Sequence, residues 1–528
     1  MNKIIRTIPT LYFLLISSFL PVFGQKNPPK KAPIELGSRL ELFVDTYLID
    51  KISGEAELRM HHPIPRERVM TYDAPWEGSG SGYHSVFKDG DTYRMYYKAW
   101  QHNASADTSL SHPLYCAYAE SNDGITWHKP KLGIHNFKGS KENNIVLVSG
   151  LTGGLKIDAG HPAVFKDDNP QAGPDAKYKA VVALENPDYG LAVFKSPDGV
   201  HWTLHEKGLM LKNGHFDSQN TAFWDVNAKQ YRAYWRQYSK SGVRGIRTAT
   251  SPNLFDWSER QDLTYEDSPD EHLYTNQIKP YHRAPHIFIG LPMRYVDRGW
   301  SESMRALPEL EEREKRAGKT VKGGVADLTS RYGTVLTETL LMSSRDGVTF
   351  KRWNEAFLKP GIERNGSWTY GDNCTAWHVV ETKSDLPGAP NELSLYTVEN
   401  YWKGRASSLR RYTLRLDGFV SLKASYKGGE IVTKPFTFSG DHLWLNFSTS
   451  AAGSVLAEIQ DETGKAIPGF SLSESESLFG DSIAKKVRWK NRSSLAGLRG
   501  KVVRLKFVLK DTDLYSLQFS DDAPTGSR

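Results

Sequence analysis

The chain has 528 residues, of which 39% are apolar and 24% charged, so it can form a sizeable core and is not a disordered, collagen-like or coiled-coil protein. Its net charge of +7 includes no block of basic residues of the kind that binds nucleic acid, and suits either simple solubility or an anionic glycan. Two cysteines, Cys116 and Cys374, exclude a disulfide scaffold and a cysteine-rich zinc site.

The N-terminus is typical of an export signal. Lys3 and Arg6 precede an apolar run at 11–23, and the small residue Gly24 follows it. The run is shorter than the ~20 residues of a membrane span. We therefore expect residues 1–24 to be a signal peptide, residues 25–35 to be a linker, and the mature protein to be periplasmic or extracellular without a membrane span.

A short motif then recurs along the chain. Ser-x-Asp-Gly-x-x-aromatic occurs at 121–127, 196–202 and 344–350, Asn-Leu replaces Asp-Gly at 251–257, and a reduced copy lies at 416–419. Asp-Gly between strand-like runs predicts a tight hairpin turn, because glycine accepts a positive φ without penalty. Three predicted strands precede each turn and one follows it, and four-stranded units with an aromatic signature are typical of propeller blades.

These units predict an all-β fold, with a five-bladed β-propeller at 36–419. The fourth blade is predicted to use strands at 276–281, 286–295, 338–343 and 349–353. The fifth blade lacks an outer strand of its own. Segment 39–50 is predicted to be a strong strand, and we predict that it closes the ring by pairing with 409–416, since closure leaves no long open edge.

Two further elements complete the predicted architecture. A helix is expected at 305–317, inserted in blade four as a rim element or a solvated excursion. Short alternating strands continue from 420 to 519, so residues 420–528 are predicted to form a β-sandwich. We expect this domain to pack on the propeller and to hold no catalytic acid.

The predicted topology indicates where chemistry belongs. The repeated turns lie on one face of the ring, so we interpret them as structural. Residues before each inner strand, or after each second strand, share the other face, where a central funnel opens. The predicted catalytic carboxyl groups there are Asp158, Asp217 and Glu271. We expect Glu271 to be the general acid, with its pKa raised by Asp270 and other carboxylates, and Asp158 or Asp217 to be the base or nucleophile.

Polar and aromatic residues at comparable positions are predicted to bind a sugar, through hydrogen bonds to hydroxyls and stacking on the ring. They are His161, Gln219, Asn220, His272, Tyr274, Asn276, Arg236, Arg294, Asp372, Asn373 and Trp402. Each also has a structural interpretation. The acids can cap turns, the histidines can be internal hydrogen-bond partners, Arg294 can neutralise acidic neighbours, and Trp402 can pack at the rim.

With its five repeated turns, acids before inner strands and C-terminal strands, the chain resembles the five-bladed propeller glycosidases: invertase-like fructosidases, arabinanase-like enzymes and β-mannoside phosphorylases. The resemblance covers essentially the whole mature chain. It implies a glycoside hydrolase. The Asn-Asp-Pro-Asn, Arg-Asp-Pro and Glu-Cys segments of the invertase-like enzymes are absent. Blade one has only Glu77 near the expected acid, and blade three has Asp217 in place of a Glu, so the family's roles do not transfer residue for residue.

The sequence thus predicts an exported glycoside hydrolase that cleaves a plant or algal glycan or oligosaccharide by carboxylic acid/base chemistry in the funnel. It has no metal-binding or nucleotide-binding motif, and we expect no cofactor and no metal. Two alternatives stay open. One is a non-catalytic glycan-binding propeller. The other is a phosphorylase whose phosphate pocket would use Arg236, Arg294 and His272. The oligomeric state is left open.

Overall fold

The computed structural model describes residues 32–102, 112–185, 189–317, 331–490 and 492–524. The predicted signal peptide, and residues 25–31 of the predicted linker, lie outside these ranges. Strands dominate, as predicted, and they form a five-bladed propeller and a further large sheet. In the described part of the chain, no helix has the length and apolarity needed to cross a membrane.

Blades one to three follow the predicted order of antiparallel strands from the axis outwards. Their bounds are Gly82–Asp89, Thr92–Ala99, Tyr115–Ser121 and Ile145–Val148 in blade one; Leu155–Lys166, Tyr178–Leu184, Gly190–Ser196 and Thr203–Lys212, with Gly150–Thr152 added, in blade two; and Thr221–Asp225, Gln230–Tyr238, Arg244–Ser251 and Gln261–Asp262 in blade three.

Blade four departs from the prediction because two of its predicted strands are divided. Its sheet contains Ile278–Tyr281, Ala284–Gly290, Met342–Ser344, Thr349–Arg352 and Thr264–Glu266. The segment predicted as one strand at 286–295 breaks at Pro292, which lacks a backbone N–H for the ladder. Beyond the break, Met293–Asp297 pairs with Val335–Thr339 as a separate two-stranded ribbon.

The ring is closed by a different segment from the one predicted. Blade five contains Val380–Thr382, Glu392–Glu399 and Ser408–Arg415, and its outer strand is Ile64–Thr71. The prediction that 39–50 pairs with 409–416 is wrong. Leu40–Leu42 of that segment pairs with Val503–Ser520 of the C-terminal sheet, and Phe43 and Leu48 are buried in the core of the same sheet. Ile64–Thr71 is mostly polar and exposed, as an outer strand should be.

The large sheet therefore takes strands from both ends of the chain. Its eight strands are Ile34–Gly37, Leu40–Leu42, Ile49–Met60, Val420–Thr433, Phe436–Phe438, His442–Asp461, Asp481–Lys486 and Val503–Ser520. Bulges interrupt the long strands, for example between Thr449 and Ser454. Bulges bend strands, and here the sheet encloses one apolar core.

The sheet packs against the propeller, as predicted, through a second apolar cluster. Leu42 and Val44 from the N-terminal segment belong to this cluster together with Ile287 of blade four and Leu395 of blade five. The buried Asp417 carboxylate lies where blade five joins the sheet and accepts hydrogen bonds from Tyr281 Oη and Arg283 Nε, both at 2.8 Å.

The predicted helix at 305–317 is two helices, Glu302–Ala306 and Leu310–Ala317, and a short third helix, Arg331–Thr334, follows. Pro308 separates the first two. The residue before it, Leu307, is extended (φ −63°, ψ 151°), as the steric demand of a following proline favours. Short 3₁₀ turns occur at Pro174–Ala176 and Ala496–Leu498.

The repeated turn is structural, and its contacts are the same from blade to blade. In blade two the Ser196 Oγ accepts from Gly199 N at 2.9 Å, and Asp198 Oδ1 accepts from Val200 N at 2.8 Å. The Gly199 carbonyl then accepts from Tyr96 Oη of blade one at 2.8 Å. The same tyrosine contact joins blade three to blade four (Tyr234 to Gly347) and blade five to blade one (Tyr396 to Gly124).

Candidate active site

The five blades meet around an amide pair at the propeller axis. Gln277 Nε2 of blade four donates to Gln219 Oε1 of blade three at 2.7 Å and to Thr375 O of blade five at 3.0 Å. Gln219 Nε2 donates to Tyr83 O of blade one and Pro162 O of blade two, at 3.0 and 2.8 Å. This pair closes the floor of the funnel.

Three side-chain amides that were predicted to bind substrate are therefore buried and form hydrogen bonds within the protein. Gln219, Asn220 and Asn276 are each at most 2% exposed. Asn220 Nδ2 donates to Phe216 O and Ser218 O. Asn276 Oδ1 accepts from the Thr221 hydroxyl at 2.8 Å. These hydrogen bonds fix the starts of the inner strands, which is the structural interpretation of the three residues.

Four tyrosines surround the bottom of the funnel, above the amide pair. Tyr83, Tyr274, Tyr370 and Tyr401 come from blades one, four and five. Tyr370 Oη donates to Tyr274 Oη at 3.1 Å. The indole of Trp402 packs on Tyr370 with ring centroids 4.8 Å apart. Trp402 thus belongs to an aromatic wall, in which Tyr83, Tyr370 and Tyr401 are buried and the indole is stacked on His102 at 3.9 Å.

A buried lysine lies within this wall. Lys98 is 3% exposed, and its ammonium donates to Tyr401 Oη at 2.7 Å. The Nζ atom also lies 4.7 Å from the ring centroid of Tyr83 and 5.1 Å from that of Trp100. Burial lowers the pKa of Lys98 to about 7, although the charge of Asp158 opposes this. Lys98 therefore changes charge near neutral pH.

Asp158 and His161 form a pair on the inner strand of blade two. His161 Nδ1 lies 2.8 Å from Asp158 Oδ2, and Gly160 N donates to Asp158 Oδ1 at 2.7 Å. Burial opposes ionisation of Asp158, but the charge and hydrogen bond of His161 outweigh it and lower the pKa of the carboxyl. An ionised carboxylate only accepts, so the proton of this hydrogen bond lies on His161 Nδ1.

Asp217 lies on the next blade and is held by Arg236. Arg236 Nη1 donates to Asp217 Oδ1 at 2.5 Å, and the guanidinium lies 4.5 Å from the Tyr274 ring centroid. The Asp217 side chain is 59% exposed while that of Arg236 is 2% exposed. The structure thus brings Asp158 and Asp217 to the tyrosine wall, because His161 packs on Tyr83 at 4.9 Å and Arg236 packs on Tyr274.

Glu271 points elsewhere. The segment 271–274 is extended and pairs with the chain at Arg294, so alternate side chains point to opposite sides. Tyr274 stacks on Tyr295 at 5.9 Å on the funnel side, and His272 Nδ1 accepts from Arg244 N at 3.1 Å on the same side. Glu271 lies on the other side.

The groups in contact with Glu271 are arginines, whereas carboxylates were expected. Arg294 Nη1 donates to Glu271 Oε1 at 3.1 Å, and Arg352 Nη2 donates to Oε2 at 3.0 Å. The expected like-charge environment of Glu271 is therefore wrong. Arg294 also binds Glu338 at 2.6 Å. Glu271, Arg294 and Glu338 line a separate cavity of about 580 Å³ with Trp368 on its wall.

The remaining predicted residues contact the chain itself. Asp372 is 4% exposed and accepts from Tyr401 N at 3.0 Å, and burial raises the pKa of its carboxyl to about 7. Asn373, with a φ of +61°, donates from Nδ2 to Thr337 O at 3.4 Å. Both residues position the start of blade five rather than facing the open funnel.

Two other predictions can be compared with these contacts. Arg236 and Arg294 are both paired with carboxylates, so they do not form the open phosphate pocket that a phosphorylase needs. Among the described residues, no group of three His, Cys, Asp or Glu side chains lies close enough to hold a metal ion. Cys116 and Cys374 are buried and unpaired.

Sequence reasoning missed Lys98, Tyr83, Tyr370 and Tyr401. Tyr83 follows the glycines of 78–82, a signal for close backbone approach that points to this place. Lys98 and Tyr401 have no such signal, because they lie at the ends of strands or in the loops that follow, where pairing register decides which side chains reach the axis.

No protein-family model matches the chain, and no curated protein matches its sequence. Solved structures with a similar arrangement include a thermostable family-43 glycoside hydrolase (12% identity, TM-score 0.41), which covers 67% of this chain and 96% of its own. An N-acetylgalactosamine deacetylase from F. plautii, in complex with blood group B trisaccharide, has 10% identity, a TM-score of 0.42 and coverages of 69% and 96%.

A GH32 beta-fructofuranosidase from Bombyx mori covers 88% of this chain and 95% of its own, with 13% identity and a TM-score of 0.36. Likeness at these identities and TM-scores carries no conclusion about activity. The assignment of the fold rests on the strand pairing, which defines five blades around one axis.

Proposed function

We propose that the protein is an exported glycoside hydrolase that acts on a glycan or oligosaccharide bound in the funnel. The observation that carries the proposal is the juxtaposition, at one mouth of the propeller, of the Asp158–His161 pair and the exposed Asp217 carboxylate around a buried tyrosine cluster. An ionised carboxylate suits the positive charge that develops at the anomeric carbon.

The proton transfers follow from the hydrogen bonds. With Nδ1 of His161 donating to Asp158, Nε2 takes a proton from the attacking water. The water oxygen bonds to the anomeric carbon as the glycosidic C–O bond breaks. Tyr401 donates its hydroxyl proton to the leaving oxygen and receives one from the Lys98 ammonium, which lies 2.7 Å away. Lys98, whose pKa burial lowers to about 7, can return this proton to Tyr401 at neutral pH.

Asp217 and Arg236 complete the proposed site. The exposed Asp217 carboxylate can accept from sugar hydroxyls, and Arg236 holds it in place against Tyr274. Export is proposed from the N-terminal sequence, and plant and algal glycans are the first substrates to try.

The test is a panel of plant and algal oligosaccharides incubated with the purified protein, with products identified by chromatography and mass. We expect new reducing ends from at least one member. His161→Gln and Lys98→Met should lower the rate by about 10²-fold or more. Lys465→Met, at an exposed position in the C-terminal domain, is the matched control and should leave the rate unchanged.

A second candidate function is glycan binding without catalysis. It is favoured by one observation: Asp158, Asp217 and Glu271 each contact a basic side chain, so none is an evident proton-donating carboxylic acid. Binding of a glycan with no product after prolonged incubation would support this candidate and contradict hydrolysis.

A further inference from the structure

A second cavity lies at the other end of the propeller axis. It has a volume of about 410 Å³ and is formed by the inner strands of blades one, four and five. Phe87 and Lys88 line it from blade one, Lys279 from blade four and His378 from blade five, with Gln277 at its inner end. A monosaccharide fits within such a volume.

The amide pair separates this cavity from the funnel. The inner strands of blades one and five run side by side in the same direction, with Ser85 beside Trp377. Along these strands, the funnel residues Tyr83 and Cys374 precede the level of the amide pair, whereas Phe87 and His378 follow it. The two cavities therefore open at opposite faces.

In the described part of the chain, two polar atoms of residues that line the cavity lack a hydrogen-bond partner, and a lysine beside them has no ion pair. Gln277 Oε1 and His378 Nε2 are buried without a hydrogen-bond partner. Lys279 Nζ lies 5.6 Å from the ring centroid of Trp377. Within the described ranges, no carboxylate lies within 4 Å of this nitrogen. Unsatisfied buried polar atoms are costly, so their concentration in one cavity points to a ligand that satisfies them.

The backbone of His378 adds an independent observation. Its φ is +88°, a left-handed conformation that a side chain other than glycine rarely adopts. The ring is held between Trp377, with centroids 4.3 Å apart, and Phe87, at 6.1 Å. Strain of this kind is characteristic of ligand sites.

The charges show where an anion would lie. Glu381 also lines the cavity, but it is paired with His282 at 3.0 Å. Burial opposes its ionisation, but the hydrogen bond from His282 and nearby positive charges lower the pKa of Glu381 to about 2, so it stays negative. Lys279 and the exposed Lys88 form the positive end. Burial lowers the pKa of Lys279 to about 8, so the ammonium is largely charged at neutral pH.

We propose that this cavity binds a monosaccharide-sized sugar acid, with its acidic group on Lys279 and Lys88 and a hydroxyl donating to Gln277 Oε1. The apolar side chains of Phe87 and Leu291 would face the ring of the sugar. The site is distinct from the funnel and does not depend on hydrolysis there.

The test is calorimetric titration of the full mature chain with glucuronate, and with glucose as the uncharged match. We expect glucuronate to bind at least 10-fold more tightly than glucose. Lys279→Met should weaken glucuronate binding at least 10-fold, and Lys240→Met should leave it unchanged. Sodium sulfate should compete if the acidic group alone provides most of the contact, which would extend the ligand class to sulfated sugars.

Lys88→Met provides a second variant, since an exposed side chain can be replaced without disturbing the fold. It should weaken binding in the same direction. The proposal is overturned if wild-type protein binds neither glucuronate nor sulfate, if glucose binds equally well, or if both lysine variants bind glucuronate as tightly as wild type.

Discussion

The outer turns of this propeller repeat the same contacts from blade to blade, whereas the residues at the funnel differ from blade to blade. At the outer turns, blades one, two and four repeat the same Ser, Asp and Gly hydrogen bonds and receive the same tyrosine hydroxyl from the preceding blade. At the funnel, each blade supplies a different group: Lys98, Asp158 with His161, Asp217, Tyr274 and Tyr401. Repetition identifies residues that hold the ring together, and departure from repetition identifies residues available for chemistry.

The largest loss of stability in a variant is expected at the outer turns. Gly199 has a φ of +82°, and a Cβ there would lie 2.5 Å from Tyr96 Oη. Gly199→Ala should lower the free energy of unfolding by about 3 kcal/mol, through left-handed strain and displacement of Tyr96. Chemical denaturation measures this loss.

Gly242 is the matched control, since its φ is +80° and no atom lies within 4 Å of a Cβ there. Gly242→Ala should cost only the strain, about 1 kcal/mol. Equal losses for the two variants would show that the tyrosine contact between blades contributes nothing.

A smaller loss of stability is expected when Glu271 is replaced. Its carboxylate neutralises Arg352, whose side chain is 1% exposed. Glu271→Gln should lower the free energy of unfolding by about 2 kcal/mol, because it leaves a buried guanidinium without this charge partner. Glu363→Gln, on the wall of the same cavity, is the control and should be neutral. If stability is kept but hydrolysis is lost, Glu271 has the catalytic role predicted from the sequence.

The third prediction concerns pH at the funnel. The folded pKa of Lys98, about 7, lies below its ordinary value of 10.5, so the unfolded chain binds more protons between these values. The stability of wild type relative to Lys98→Met should therefore rise with pH from 7 to 10.5, by up to ~1.4 kcal/mol per pH unit.

The groups that face Lys98 do not titrate in this range. Burial raises the pKa of Cys374 to about 12 and raises the pKa of Tyr401 well above its ordinary value, while Asp158 is already ionised. Denaturation of both proteins at several pH values measures the difference. A difference that is constant from pH 7 to 10 would contradict the buried, partly neutral state of Lys98.

The repeating part of the fold, its blades and outer turns, could be predicted from the sequence. The Asp-Gly turns gave the number of blades and the missing outer strand, because turn chemistry is local. The closing strand was hard to predict, because the outer strand Ile64–Thr71 is mostly polar and exposed. Segment 39–50, which was predicted to close the ring, instead contributes Phe43 and Leu48 to the core of the C-terminal sheet. The division of blade four at Pro292 depended on one residue that interrupts a ladder.

The candidate site was predictable in part. Asp158, His161, Asp217 and Arg236, predicted from positions at the inner strands or at the ends of second strands, lie beside the tyrosine wall, and their functional roles stay predictions. Glu271 was placed in the funnel although strand alternation directs it away, towards Arg352. Lys98 was missed because a lysine in a strand is usually solvated, and only the pairing of the strand shows that this one is buried.

The central claim is that the funnel is the catalytic end of the propeller, and the rate of Asp158→Asn tests it most directly. On a glycan that the wild type cleaves, kcat should fall by 10²-fold or more while the melting temperature changes little, because the amide cannot stabilise the charge that Asp158 supplies. Asp91→Asn, at an exposed hairpin of blade one, should match wild type. Wild-type turnover by Asp158→Asn would contradict the account.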